Sequence, residues 1–360
     1  PPPPPRRGMS QSAPGAAAGT PTEPRRADRD AGASMRIRAV PRGDGDARCH
    51  TGTVEHPHSL DSPVGTATGE YVRGRPHPAL AGWVAGYSGY REHSAAPLRR
   101  RQAPVGGCTL ILGFGGPLRL HGPAGPVVPG AFLAGMHDTT VLTEFTGAQE
   151  GLQVDLTPLG LFALLGGRPV AQMTNRTPAL EEIEAPDIAA LPARLAQDAG
   201  WAARFARIDA VLLRRLEHSV ARPDAEVAWA WGRLVDSAGR VRVEELARGA
   251  AWSRRHLLTR FRAQVGLAPK TAARVLRFQR AAALLAPNGP AGGPRVQAAA
   301  PPNLADVAAA CGYADHSHLV REFRALAGCT PSQYTAEWHD AAVQAGAGSH
   351  SFKTDSGTRP

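Results

Sequence analysis

The last third of the chain is written twice. "ELARGAAWSRRHLLTRFRAQVGLAP" and "DVAAACGYADHSHLVREFRALAGCTP" superimpose when one extra residue is allowed in the second turn. Leu246-Ala247 then matches Val307-Ala308, and Trp252 matches Tyr313. Leu257, Phe261, Gly266 and Pro269 match Leu319, Phe323, Gly328 and Pro331. A repeat of this kind marks a duplicated supersecondary unit. Each copy spells a short helix, a tight turn, a longer helix, then a Gly stop and a Pro, which is a helix-turn-helix pattern.

The spacing inside each copy fixes which face is free. Ser253 and Asp315 stand where the N-caps of the second helices belong. Leu257 with Phe261, and Leu319 with Phe323, are i,i+4 apolar pairs that face a core. The opposite face then carries Arg254, Arg255, Leu258, Thr259 and Arg262 in the first unit. In the second it carries His316, Ser317, Val320, Arg321 and Arg324. These are types that read base edges and grip phosphates. Arg255 and Arg321 are the expected base or near-base phosphate contacts, against the plainer reading of a solvated face. Leu258 and Val320 either press on thymine methyls or pack half-buried beside the core. His316 suits a base or phosphate contact, and His318 a capping or structural role.

Charge supports the DNA reading. Eleven Lys or Arg lie between Arg240 and Arg280 against two acids, Glu244 and Glu245. The whole chain has a formal net charge of +10, nearly all from arginine, since Lys270 and Lys353 are its lysines. A basic stripe on a tandem helix-turn-helix is the electrostatic footprint of duplex DNA.

Residues 226–338 resemble the DNA-binding domain of the AraC/XylS family, most clearly in "LADVAAACGYADHSHLVREFRALAGCTPSQY". Gly312, Tyr313, Phe323, Gly328, Thr330, Pro331 and Tyr334 fit that family's second motif. The resemblance implies an all-α seven-helix module in which a long helix, here about 269–285, holds two recognition helices in adjacent major-groove segments. It also implies double-stranded promoter DNA as partner, with a small-molecule effector, RNA polymerase and a homodimer as further expected partners. "APNGPAGGPRVQAAAPPN" is longer than the family's direct connection, so a surface loop over 286–303 is expected, which could uncouple the second unit.

The remainder is read as an α+β multidomain chain. Residues 1–68 and 341–360 are rich in small and polar residues without apolar period, and both are expected to be disordered tails. Over 69–177, "GWVAGYSGY", "CTLILGFG", "PLRLHG", "PVVPGAFLAGM", "TVLTEFTG" and "GLQVDL" are strand-length apolar runs, which predict a β-barrel or sandwich-like domain. That domain is loosely similar to the cupin-like sensor domains preceding this module in AraC-type regulators. "DLTPLGLFALLGG" closes it with a helix capped by Thr157, begun by Pro158 and stopped at Gly166 and Gly167. Residues 178–222 read as a helical connector, either an ordinary surface helix packed on the domain or a dimer-forming or signal-passing element. In it Phe205, Ile208, Leu212 and Leu216 sit at helical spacing, with Arg204, Arg207 and Arg214 mostly outside.

Other chemistries find little support. Cys49, Cys108, Cys311 and Cys329 form no C-x-x-C pair, and Cys311 and Cys329 read as small buried residues rather than a redox switch. His77, His93, His121 and His137 lack the clustered spacing of a metal cupin, and "LGFGGP" lacks a phosphate-loop ending. No catalytic residue, cofactor or metal is therefore assigned. No apolar run reaches membrane-helix length. "PPPPPRRGMS" lacks a signal-peptide h-region, and Met9 and Met35 are candidate starts. The expected location is the cytoplasm, on the nucleoid. The expected function is a sequence-specific transcriptional regulator under small-molecule or dimerisation control. A metal-dependent cupin-like enzyme on a DNA anchor and a non-specific architectural DNA binder are the alternatives.

Overall fold

The computed structural model describes residues 49–51, 67–122, 125–286 and 303–337. The expected tails over most of 1–68 and all of 341–360, and nearly all of the 286–303 loop, lie outside the described residues.

The front half is one antiparallel sheet. Its strands are β1 (Cys49–Thr51), β2 (Ala67–Gly74), β3 (Val84–Gln102), β4 (Cys108–Gly113), β5 (Arg119–Gly122), β6 (Gly125–Val127), β7 (Ala131–Ala134) and β8 (Val141–Leu156). The order is β1-β2-β3-β8-β4-β7, with β5 joining β8 and β6 joining β5. Two long strands organise everything else. β8 unites "TVLTEFTG" and "GLQVDL", which the sequence reading kept apart, because Gly147 turns to a φ of +79° without ending the ladder. β3 pairs with β8 along its length, with register shifts between Val84 and Gly86 and between Ser94 and Leu98. The other edge of β8 takes β5 near Glu144 and β4 from Gly151 to Leu156, so two leaves share one strand. The sheet also starts earlier than expected: Cys49–Thr51 pairs with β2, inside the stretch assigned to the tail.

α1 (Pro158–Leu164) follows β8 and behaves as its sequence dictates. The Thr157 hydroxyl accepts from Gly160 N at 2.9 Å, Pro158 opens the first turn, and Gly166 and Gly167 end the run at φ of +66° and +84°. Every residue of α1 is buried, and any Cβ on Gly160 would lie 2.1 Å from the Trp83 carbonyl. The connector supplies α2 (Pro186–Ala189), α3 (Leu191–Leu195) and α4 (Trp201–His218).

One expectation fails on α4. Arg204 is not outside: it is 6% exposed. The period that buries Ile208 and Leu212 also reaches back one turn to position 204. The charge is met there by Glu150 at 2.8 Å and by the Leu195 carbonyl at 3.0 Å. The guanidinium lies 4.6 Å from the centroids of both Phe114 and Trp201. Cation–π contacts and a paired carboxylate make a buried arginine tolerable. Charge alone argues for an outward position; Glu150, Leu195 and Phe114, which override it, come from other elements.

Seven more helices follow among the described residues: α5 (Ala225–Asp236), α6 (Val243–Gly249), α7 (Arg254–Val265), α8 (Pro269–Leu285), α9 (Leu304–Ala310), α10 (His316–Ala327) and α11 (331–337). One continuous apolar core runs from Leu110, Leu152 and Val154 of the sheet through Leu161 of α1 to Phe261, Phe278 and Phe323. Among the described residues no helix is long and apolar enough to cross a membrane.

Candidate nucleic-acid interface

Each recognition helix is locked at both ends before its free face is defined. Ser253 accepts from His256 N at 3.2 Å, and the Asp315 carboxylate accepts from His318 N at 2.7 Å, so both predicted N-caps form. The His318 amide holds the Asp315 carboxyl below the usual carboxylate range, with Arg321 and His316 adding to the effect. Gly266 and Gly328 end the helices at φ of +102° and +71°, backbone that favours glycine. Leu257, Phe261, Leu319 and Phe323 are fully buried, as their i,i+4 spacing requires.

The turn residues pack as their types suggest. Trp252 meets the His256 ring edge-on at 4.5 Å, and Tyr313 meets His318 at 5.3 Å. His318 Nδ1 also accepts from Ala314 N at 3.4 Å, which gives it the capping role expected of it.

The ten candidate residues fall on two outward faces. Arg254, Arg255, Thr259 and Arg262 are exposed on α7; His316, Ser317, Arg321 and Arg324 are exposed on α10; Leu258 and Val320 are half-buried. Both helices have twelve residues, so the ten form five equivalent pairs: 254 with 316, 255 with 317, 258 with 320, 259 with 321, and 262 with 324. Arg254 reaches Glu244 at 3.1 Å, an exposed pair that is weak in water. Thr259 donates its hydroxyl to the Arg255 carbonyl at 3.1 Å.

Charges beside these faces are committed to the scaffold. Arg260 holds Asp224 through two bonds of 2.6 and 2.7 Å, and this pairing keeps the Asp224 carboxyl below its ordinary range. Arg274 of α8 reaches Glu322 of α10 at 2.9 Å. α8 also presents Phe278 to Phe323, ring centroids 4.7 Å apart, and Tyr334 closes the cluster at 5.7 Å from Phe323. The "GCTPSQY" segment makes that closure possible. Thr330 caps α11 by accepting from Gln333 N at 3.2 Å, and Gln333 Oε1 accepts from Thr330 N at 2.9 Å. This is a capping box, with Pro331 as the first helical residue.

Residues 246–337 match the family model of a helix-turn-helix domain. This segment is an AraC/XylS-type helix-turn-helix domain. The match begins within α6 and ends with α11, so it spans both recognition helices and α8; α5 precedes it. Similar solved structures include ToxT from Vibrio cholerae O395, at 12% identity over 70% of this chain and 97% of that one, TM-score 0.40. The DNA-binding domain of AdpA, a global transcriptional factor in complex with a target DNA, is similar at 30% identity over 34% of this chain and 99% of that one, TM-score 0.27. The C-terminal domain of AraT, a response regulator from Geobacillus stearothermophilus, is similar at 19% identity over 32% and 88%, TM-score 0.27. No curated protein matches the chain.

Outside the AraC/XylS-type domain the sequence candidates stay apart. His77 Nδ1 accepts from Ala79 N at 3.2 Å, His121 lies 4.0 Å from Glu144, and burial holds the His137 imidazole pKa down. Among the described residues no group of three or more His, Cys, Asp or Glu is arranged to hold a metal. Cys311 and Cys329 are buried; burial raises both thiols, that of Cys329 to about 11. Such thiols carry little thiolate at neutral pH.

The sequence reading missed the contacts that seat this domain on the sheet. Arg101 donates to the Ala327 carbonyl, Thr174 donates to the Gly266 carbonyl at 2.9 Å, and Gly106 N donates to Gln279 Oε1 at 2.8 Å. These partners are 92 to 226 residues apart, beyond any local signal.

Proposed function

We propose that the chain is a sequence-specific transcriptional regulator that binds double-stranded promoter DNA on the bacterial-type nucleoid, without catalysis of its own. α7 and α10 lie in adjacent major-groove segments. Arg255 and Arg321 read base edges, while Arg254, Arg262, Arg324 and His316 engage phosphates or neighbouring bases. The observation that carries this reading is the pair of equal-length, separately capped helices, each with exposed arginines on its free face. A single basic helix face is common on solvated proteins; two in register across one scaffold are the geometry of a bipartite reader. The sheet domain is the seat of control, by a small effector or by self-association.

Selection of bound duplexes from a random pool by the full chain, at about physiological salt, tests it. Enrichment of two short boxes roughly one helical turn apart, ~34 Å, is the expected result. Binding that enriches no sequence and falls steeply with salt would instead make the protein an architectural binder.

A further inference from the structure

The sheet domain touches the helix-turn-helix domain at selected places. Thr174, just after the short turn at Val170–Met173, donates to the Gly266 carbonyl at the end of α7. Gly106, in the β3–β4 turn, donates to Gln279 on α8. Arg101, near the end of β3, donates to the Ala327 carbonyl in the last turn of α10. Arg101 is 7% exposed, and a Cβ on Gly328 would fall 2.5 Å from its Nη1. Gly328 is therefore required twice: by its positive φ and by the close approach of this arginine.

A buried guanidinium is costly unless its charge is met. The end of a helix offers unpaired carbonyls and the negative end of the helix dipole, which suit a cation. An apolar side chain would seal the same contact without desolvating a charge. What the arginine adds is direction, since it donates to a defined carbonyl.

That direction matters because the covalent path to α10 is long. α7 and α8 are separated by Gly266, Leu267 and Ala268, whereas α8 and α9 are separated by residues 286–303. The pose of α10 relative to α7 thus depends on non-covalent contacts, those to α8 and those to the sheet.

We propose that the sheet domain is part of the reading apparatus: Arg101 and Thr174 are positioning residues that hold the carbonyl ends of the two recognition helices and set the spacing at which both engage DNA. This rests on the reading of α7 and α10 as DNA readers, and goes beyond it by giving the front domain a direct hold on each helix, Arg101 from β3 and Thr174 from the turn after Val170–Met173, that bypasses α4. A ligand or partner that shifts β3 against β4 would then alter box spacing without passing through the connector.

The test uses the full chain as wild type, Arg101→Ala, Arg101→Lys and Thr174→Val, each put through random-duplex selection and then titrated on one-box and two-box duplexes. For Arg101→Ala the fixed spacing is expected to broaden and two-box affinity to fall roughly tenfold, the scale of a hydrogen bond to a charged group. Its one-box affinity for the α7 site should stay at the wild-type value. Arg101→Lys, which keeps a cationic donor, should recover the spacing. Thr174→Val should broaden it too, and removes only one hydroxyl, so it decides the matter if Arg101→Ala fails to fold. Unchanged spacing in both variants, or equal loss on one-box and two-box duplexes, would overturn the proposal. Failure of the wild type to enrich any box is a separate result, and would remove the DNA reading first.

Discussion

The two helix-turn-helix units share a frame and differ in nearly everything attached to it. Leu257, Phe261 and Gly266 have their equals in Leu319, Phe323 and Gly328, and these positions are buried or conformationally forced. At four of the five free pairs the residues differ, while Arg262 and Arg324 are the same. Arginine occupies the second helical position of α7 as Arg255, where α10 has Ser317. It occupies the sixth of α10 as Arg321, where α7 has Thr259. Position 260 and its equivalent 322 reverse charge, and each ion is paired with its own neighbour, Asp224 or Arg274. The turn differs as well: Gly312 holds a φ of +74°, while its equal Ala251 is forced to +53°. Duplication kept the positions that fold and varied the exposed ones; under the proposed function the two faces would meet different base pairs.

The comparison can be broken from several sides. Phe261→Ala and Phe323→Ala should each destabilise by about 3–5 kcal/mol, seen as a lower unfolding midpoint in denaturant, since both rings are fully buried. If one were nearly neutral, the two cores would not be equivalent. The turns should respond in opposite directions to reciprocal changes. Gly312→Ala should lower stability by about 1 kcal/mol and Ala251→Gly should raise it by somewhat less, because left-handed backbone disfavours a Cβ. Equal signs in thermal unfolding would show that the first turn is not strained. Ser253→Ala removes the first cap and should cost about 1 kcal/mol.

The smallest effect separates the caps by acid. Asp315 is depressed in the folded state, so its contribution is present above the unfolded carboxyl pKa and disappears as pH falls through the folded one. Ser253 does not titrate. Asp315→Ser should therefore make the acid limb of a stability–pH curve shallower, leaving the slope that the other depressed carboxyls, Asp224, Glu144, Glu150 and Asp198, supply. An unchanged limb would mean that the second cap contributes nothing measurable.

What the sequence disclosed depended on distance along the chain. The N-caps at Ser253, Asp315 and Thr157, the glycine stops and the i,i+4 core pairs are set within four residues, and all are found in the structure. The two free faces follow from the same local spacing. Arg204 was misplaced because its partner Glu150 is 54 residues away and the stacking rings belong to other elements. The fusion of two apolar runs into β8 depended on pairing with β3, and the hold of Arg101 on Ala327 spans 226 residues. Nothing in a local pattern announces a cation that serves another domain's helix end.

The most direct measurement is a protein–DNA double-mutant cycle on the selected duplex. Arg255→Ala and Arg321→Ala are each titrated against the intact site and against sites altered in one box. The account predicts that each variant loses about 1–3 kcal/mol on the intact site and becomes indifferent to changes in one box only, a different box for each arginine. Loss of discrimination at the same box by both variants, or a uniform loss on every duplex, would contradict it.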